Sequence, residues 1–214
     1  MNKNILKKIF AIVLMIVIMF QAYFISETVM ATGVTATDNV IVTLTVDEGI
    51  TISDGLNVTM VPNIGVASDG SIGSSSWIVR TNSTAGYILA VKASTAPALK
   101  SGVNAFEDYT EVVGGTPEVW SVPPGSKEFG YSAYGTDTNS TTWGAAANCG
   151  AAGLPNAGQK YVGFSTTDKT IATRATVTAT TGITTNICFA AEQDTLYAAS
   201  GVYTATITAT ATTL

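Results

Sequence analysis

Gly201-Val202-Tyr203-Thr204-Ala205-Thr206-Ile207-Thr208-Ala209-Thr210-Ala211-Thr212 closes the chain on a strict period of two. Thr holds every even position from Thr204 to Thr212, and Tyr203, Ala205, Ile207, Ala209 and Ala211 hold the odd ones. In a strand, successive side chains point to opposite faces, so this stretch reads as a strand with one covered and one wet face. Thr suits the wet face because its β-branch fits a pleated surface and its hydroxyl meets water. The chain is therefore expected to finish as a strand, with no membrane anchor after it.

Working back, the same pattern recurs. Val40, Val42, Leu44 and Val46 alternate with Ile41, Thr43 and Thr45, which predicts a first strand. Asp47-Glu48-Gly49 reads as a turn, Ile50 to Ser53 as a short strand, and Leu56 to Val61 as another that Pro62 ends. Ser71 to Ser76 reads as a loop leading into a strand at Trp77 to Arg80. Thr81 to Gly86 is a turn, and Tyr87, Leu89, Val91 and Ala93 then face inward, so the two strands form an expected hairpin. Ile171 to Ala179 and Ile183 to Ala191 are further strands, with Tyr161 to Phe164 before them. Between them, residues 94–158 hold Pro97, Pro117, Pro123, Pro124 and Pro155 and much of the Gly, which predicts a long irregular loop region with one or two short strands. Eight to ten short strands without a useful amphipathic helix or a fixed-period repeat predict an all-β fold, an immunoglobulin-like or jelly-roll-type β-sandwich.

The opposite end has a different design. Lys3, Lys7 and Lys8 precede an apolar run from Ile9 to Phe20, and Val29-Met30-Ala31 offers small or modest residues after a polar stretch at Ser26 to Thr28. This is the build of a signal peptide over residues 1–31, with cleavage after Ala31. The rival reading is an uncleaved N-terminal helix, since Ile9 to Ile25 approaches the spanning minimum of about 17 residues. Residues 32–214 would then form one domain of ordinary size. The expected location is secreted or cell-surface, with membrane contact only through the N-terminal segment before cleavage.

Charge and chemistry narrow the function classes. Only 12% of residues are charged and the net charge is −5, and removing the three N-terminal lysines makes the rest more acidic. That excludes the basic face a nucleic-acid partner needs. The chain has no His, which removes Ser-His-Asp and Cys-His mechanisms and every His-based metal site. Phosphate loops, dinucleotide fingerprints and nucleophile elbows are missing from the sequence. Glu107, Asp108, Glu111, Glu118 and Glu128 could supply a carboxylate pair for glycoside hydrolysis, but clustered loop acids are usually a solvated surface. Asp137 to Thr141 opens like a calcium loop and then lacks its Gly and Glu, so a polar turn is the expectation. No enzyme activity, cofactor or metal is expected. Cys149 and Cys188, the two cysteines of a chain read as exported, are expected to form a disulfide.

Trp120, Phe129, Tyr131, Tyr134 and Trp143 concentrate aromatic surface in the irregular region. Trp120, Tyr131, Tyr134 and Trp143 are the candidate ligand surface, because rigid aromatic rings stack on sugars and anchor protein interfaces. The plainer reading is that they attach a long loop to the body, which fits Trp120 and Phe129 best. Tyr134 and Trp143, flanked by small polar residues, are the pair expected to be exposed.

Ser76-Trp77-Ile78-Val79, followed by Thr81-Asn82 and Gly86-Tyr87, together with the closing Gly201-Val202-Tyr203-Thr204-Ala205-Thr206-Ile207, resembles exported bacterial β-sandwich surface proteins. The pattern is similar to WxL-type cell-wall proteins and, at its two ends, to spore-coat-U and other pilin-like subunits. The first resemblance implies a non-catalytic surface protein that binds a cell-envelope glycan or surface protein. The second implies self-association into fibres, with residues 32–46 completing a neighbour's sheet by strand addition.

Overall fold

A computed structural model describes residues 3–24, 33 and 35–214. The expected cleavage site at Ala31 and the polar stretch before it lie outside the described residues. Two compact units are present, residues 1–45 and 46–214. In the first, α1 (Lys3–Phe24) is 22 residues long. Lys3–Gln21 within it is apolar and long enough to cross a membrane, as signal sequences also are.

The second unit is built of strands: β1 (Ile50–Ile52), β2 (Gly70–Thr81), β3 (Tyr87–Ala93), β4 (Leu99–Ser101), β5 (Asn104–Asp108), β6 (Lys127–Gly135), β7 (Gly150–Ala151), β8 (Leu154–Pro155), β9 (Val162–Gly163), β10 (Lys169–Arg174), β11 (Ile183–Gln193) and β12 (Ile207–Thr213). Only a short helix, α2 (Ser140–Trp143), interrupts them. A seven-stranded sheet runs β1-β2-β11-β6-β5-β4, with β9 added to β6, and a three-stranded sheet runs β10-β3-β12. The sheets curl into a half-barrel. The all-β expectation holds.

One core joins the two sheets. Trp77, Val79, Phe129, Tyr131, Ile187 and Phe189 of the large sheet meet Tyr87, Leu89, Val91 and Ile171 of the small one. Alternation places them there: β3 reads buried at Tyr87, Leu89, Val91 and Ala93 and half-exposed between. β11 and β6 are covered on both faces, because a second cluster of Ile72, Tyr109, Cys149, Tyr161, Cys188 and Ala190 lies on the outer face of the large sheet. The disulfide Cys149–Cys188 pins that outer layer to β11, as expected.

Several expectations are corrected. Residues 40–46 form no strand, and Asp47 to Gly49 form no turn. Leu56 to Val61 makes only an isolated bridge, Val61 to Ile72. The expected loop Ser71 to Ser76 is the first half of β2, paired residue for residue with β11 from Ser71↔Ala191 to Ser76↔Asn186. Gly and Ser have low strand propensity, but here small residues are required: a Cβ on Gly73 would strike the side chain of Val58. β2 and β3 are not a hairpin. They belong to different sheets, and Thr81 to Gly86 is an arch between them. Gly86 allows it, with φ of 88° and no room for a side chain against the Arg174 carbonyl. β10 ends at Arg174 rather than continuing to Ala179. The irregular region 94–158, expected to hold one or two short strands with apolar pieces at Glu118 to Val122 and Glu128 to Tyr134, contains a nine-residue central strand, β6, over the second of them.

Candidate functional site

The aromatic residues do not form one exposed surface. Trp143 is 2% exposed and Tyr131 also 2%, so the expected exposure of Trp143 is corrected. The reason is local. Asn139 caps α2 by accepting from the Thr141 and Thr142 amides, and the Trp143 carbonyl accepts from the Lys160 amide at 2.8 Å, which folds the indole onto β6. Tyr131 stacks on Phe164 at 4.2 Å and lies 5.6 Å from Trp143, while Phe129 stacks on Phe164 at 5.2 Å. Burial raises the Tyr131 hydroxyl pKa far above its usual range.

Trp120 and Tyr134 are half-buried against the outer cluster. Trp120 stacks on Tyr109 at 4.5 Å, meets Tyr161 edge-on at 5.3 Å, and donates its indole N–H to Glu192 Oε2 at 2.6 Å. Gly130 beneath it has no space for a Cβ, which would lie 2.9 Å from the Trp120 ring. Trp120, with Tyr109 and Tyr161, attaches the outer layer, the plainer of the two expectations for it, whereas Phe129 lies in the shared core between the sheets.

The acidic residues are tied to backbone. Glu111 accepts from the Gly163 amide at 2.6 Å and the Gly115 amide at 2.9 Å. Glu118 accepts from the Tyr109 hydroxyl at 3.2 Å and the Val112 amide at 3.0 Å. Asp108 accepts from the Ala98 amide at 3.0 Å, and burial pushes its carboxyl up. Glu128 is 5% exposed with Oε2 unpartnered, and desolvation likewise raises its pKa. Asp137 is committed too: Tyr87 donates to one oxygen at 2.7 Å and Arg174 to the other at 3.2 Å. No group of three or more His, Cys, Asp or Glu residues suited to a metal occurs among the described residues.

β12 is an edge strand of the small sheet. β12 bonds to β3 from Ile207↔Ala93 to Thr213↔Tyr87, and its second edge carries no ladder. Its alternation follows the sequence reading, with Ile207, Ala209 and Ala211 inward and Thr208, Thr210 and Thr212 outward. Yet its inward residues are only half-covered, whereas Tyr87, Leu89, Val91 and Ala93 of β3 are no more than 2% exposed. Residues 35–49 meanwhile run without secondary structure. Val40 is 83% exposed, Val42 87%, Leu44 84% and Val46 74%, an alternating apolar series open to solvent.

A polar clamp that sequence reasoning missed fixes where this series leaves the second unit. Asn82 donates through Nδ2 to the Asp47 carbonyl at 2.7 Å and accepts the Gly49 amide at 2.7 Å, and its own amide donates to the Gly49 carbonyl at 3.3 Å. The Thr81 hydroxyl adds a bond to that carbonyl at 2.8 Å. Thr81-Asn82 sits 33 residues from Gly49 and carries no local signal of the pairing. Comparison with known proteins finds no matching family model, no similar curated protein and no similar solved structure.

Proposed function

We propose that this chain is a non-catalytic structural subunit of an exported surface assembly, built by β-strand addition between copies. The observation that carries the reading is the apolar alternation of Val40 to Val46, fully strand-like in sequence and exposed along its length. A series of that kind costs free energy in water, and burial of each Val or Leu would return about 1.5–3 kcal/mol. Pairing with a sheet edge satisfies its backbone and its apolar face together, which is how peptide strands are commonly recognised. Export rests on the apolar α1 and on the disulfide, which persists in oxidising compartments. On this reading the two facing sheets are a β-sandwich, of the immunoglobulin-like or jelly-roll kind, and the outer aromatic layer is reinforcement. The test is direct. Protein from an exporting host is viewed by negative-stain electron microscopy and run heated and unheated on a denaturing gel. Filaments and a heat-sensitive ladder are expected, and a monomer at all concentrations overturns the proposal.

A further inference from the structure

Three carboxylates stand at one level on the outer face of the large sheet. Glu128 of β6 lies directly opposite Glu192 of β11, and Glu107 of β5 is in register with Glu128 on its other side. They share the outer face because Phe106, Phe129 and Ala191, each one residue away, belong to the core between the sheets. Neighbouring strands are about 4.8 Å apart, and like charges placed opposite one another destabilise a sheet. No lysine or arginine answers them: the ion pairs among the described residues join Lys92 to Asp168 and Arg174 to Asp137. The other acids nearby are satisfied by donors. Asp108 has the Ala98 amide, Glu111 the Gly115 and Gly163 amides, and Glu118 the Tyr109 hydroxyl and Val112 amide. Glu128 differs: it is 5% exposed, and its Oε2 has no hydrogen-bond partner. Glu192 gives Oε2 to the Trp120 indole N–H at 2.6 Å, so only one of its two oxygens is committed.

We propose that Glu128 and Glu192 hold a divalent cation of calcium's size between β6 and β11. A buried carboxylate oxygen without a donor is costly, and a bound cation is one of the few partners that offsets it. The same ion lowers the repulsion along the row, with Glu107 adding charge from the next strand. No group of three or more His, Cys, Asp or Glu residues suited to a metal occurs among the described residues, so the chain contributes two carboxylates. Water and main-chain carbonyls complete the shell. Calcium accepts such a shell, taking about six to eight oxygens in flexible geometry, whereas magnesium demands a near-octahedral one and gives up its water reluctantly. With so few charged ligands the affinity falls in the range of extracellular modules, a Kd of about 0.1–1 mM. The site is separate from Asp137 to Thr141, whose acid is already held by Tyr87 and Arg174. It is also independent of the assembly reading, since both ligands belong to one chain.

The test uses the full chain with its disulfide formed. Melting is followed in a chelator and in about 5 mM Ca²⁺ at constant ionic strength, and Ca²⁺ is expected to raise the midpoint by about 2–8 °C. Mg²⁺ at the same concentration is expected to give less than about half of that rise. Glu128→Gln and Glu192→Gln should each abolish the rise. Glu192 is half-exposed, so its variant reads the site even if the buried substitution disturbs folding. Asp168→Asn, which removes an exposed acid paired with Lys92, should keep the rise in full. In the chelator Glu128→Gln should melt no lower than the parent, so that its loss appears only when Ca²⁺ is present. Tb³⁺ gives a second readout, because Trp120 is bonded to one of the two ligands and can sensitise its emission. Trp120→Phe should remove most of the sensitised emission and leave the Ca²⁺ rise, whereas Glu128→Gln should remove both. A parent indifferent to Ca²⁺ overturns the site. An equal rise with Mg²⁺ reduces the effect to charge screening and overturns it too. A rise that survives in both glutamine variants, or full Tb³⁺ emission in Trp120→Phe, places the ion elsewhere and has the same consequence.

Discussion

Glu128 shows how a single residue departs from its surroundings. It sits on β6 opposite Glu192 of β11 and is in register with Glu107 of β5, so three acidic side chains share one stretch of sheet. Burial and the neighbouring Glu111 raise its pKa, with the Thr110 backbone bond opposing them. A carboxyl whose folded pKa lies above its unfolded value contributes stability that is complete below the unfolded pKa and is lost as pH rises through the folded one. Glu128→Gln removes that loss. The variant is expected to match the parent near pH 4 and to be about 1 kcal/mol more stable at pH 7, the scale of an unsatisfied buried polar group. Denaturant titrations at the two pH values check this, and equal stability at pH 7 would refute it. Asn82 makes the opposite case, an exposed side chain with a structural task. Asn82→Ala is expected to cost about 1 kcal/mol for its two lost backbone bonds. Amide exchange at Gly49 should accelerate while exchange in β3 and β11 stays unchanged.

At the scale of elements, the segment 40–46 and β12 make a pair of alternating sequences with different fates. Val42→Asp with Leu44→Asp alters positions 87% and 84% exposed in the isolated protein, so the melting transition should move by less than about 0.5 kcal/mol equivalent. The same change should abolish the heat-sensitive ladder, since a charge would enter an apolar strand contact. A fully retained ladder would count against strand addition. These two segments also show what the sequence could reveal. Period two identified β12 and β3 because each has one face on the shared core. The same period misread residues 40–46, because alternation reports a segment fit for pairing and not whether a partner is within its own sheet. β2 was half lost to its Gly and Ser residues, which only the neighbouring Val58 and Met60 explain. The supposed β2–β3 hairpin failed because a short connection fits both a turn within a sheet and an arch between sheets. Tyr131 and Trp143 read as a surface because their burial depends on Phe164 and α2, contacts that distance along the chain conceals.

In the 46–214 unit as a whole, the consequence of the outer layer is mechanical. Tyr109, Trp120, Cys149 and Tyr161 cover the outside of β6 and β11, and three devices hold this layer. The disulfide ties Cys149 to β11 across 39 residues. Gln159, fully buried, accepts from the Ser132 hydroxyl of β6 at 3.1 Å and donates to the Ala146 carbonyl at 2.8 Å. The Tyr161 hydroxyl donates to the Cys149 carbonyl at 3.2 Å. Closing a loop of that length stabilises by roughly 3–4 kcal/mol in the chain-entropy model. Cys149→Ala with Cys188→Ala should therefore lower unfolding stability by about 3 kcal/mol. The loss should also be uneven. The shared core between the sheets includes neither cysteine, so β3 and β12 should keep their exchange protection, while Gly150 to Tyr161 and the Trp120 stack open first. Limited proteolysis would then cut in the outer layer before the body, and Trp120 fluorescence would shift ahead of the main transition. A single cooperative loss, with all strands exchanging together, would mean that the outer layer and the core are one folding unit. In that case the double variant should lose the polymer ladder along with its stability.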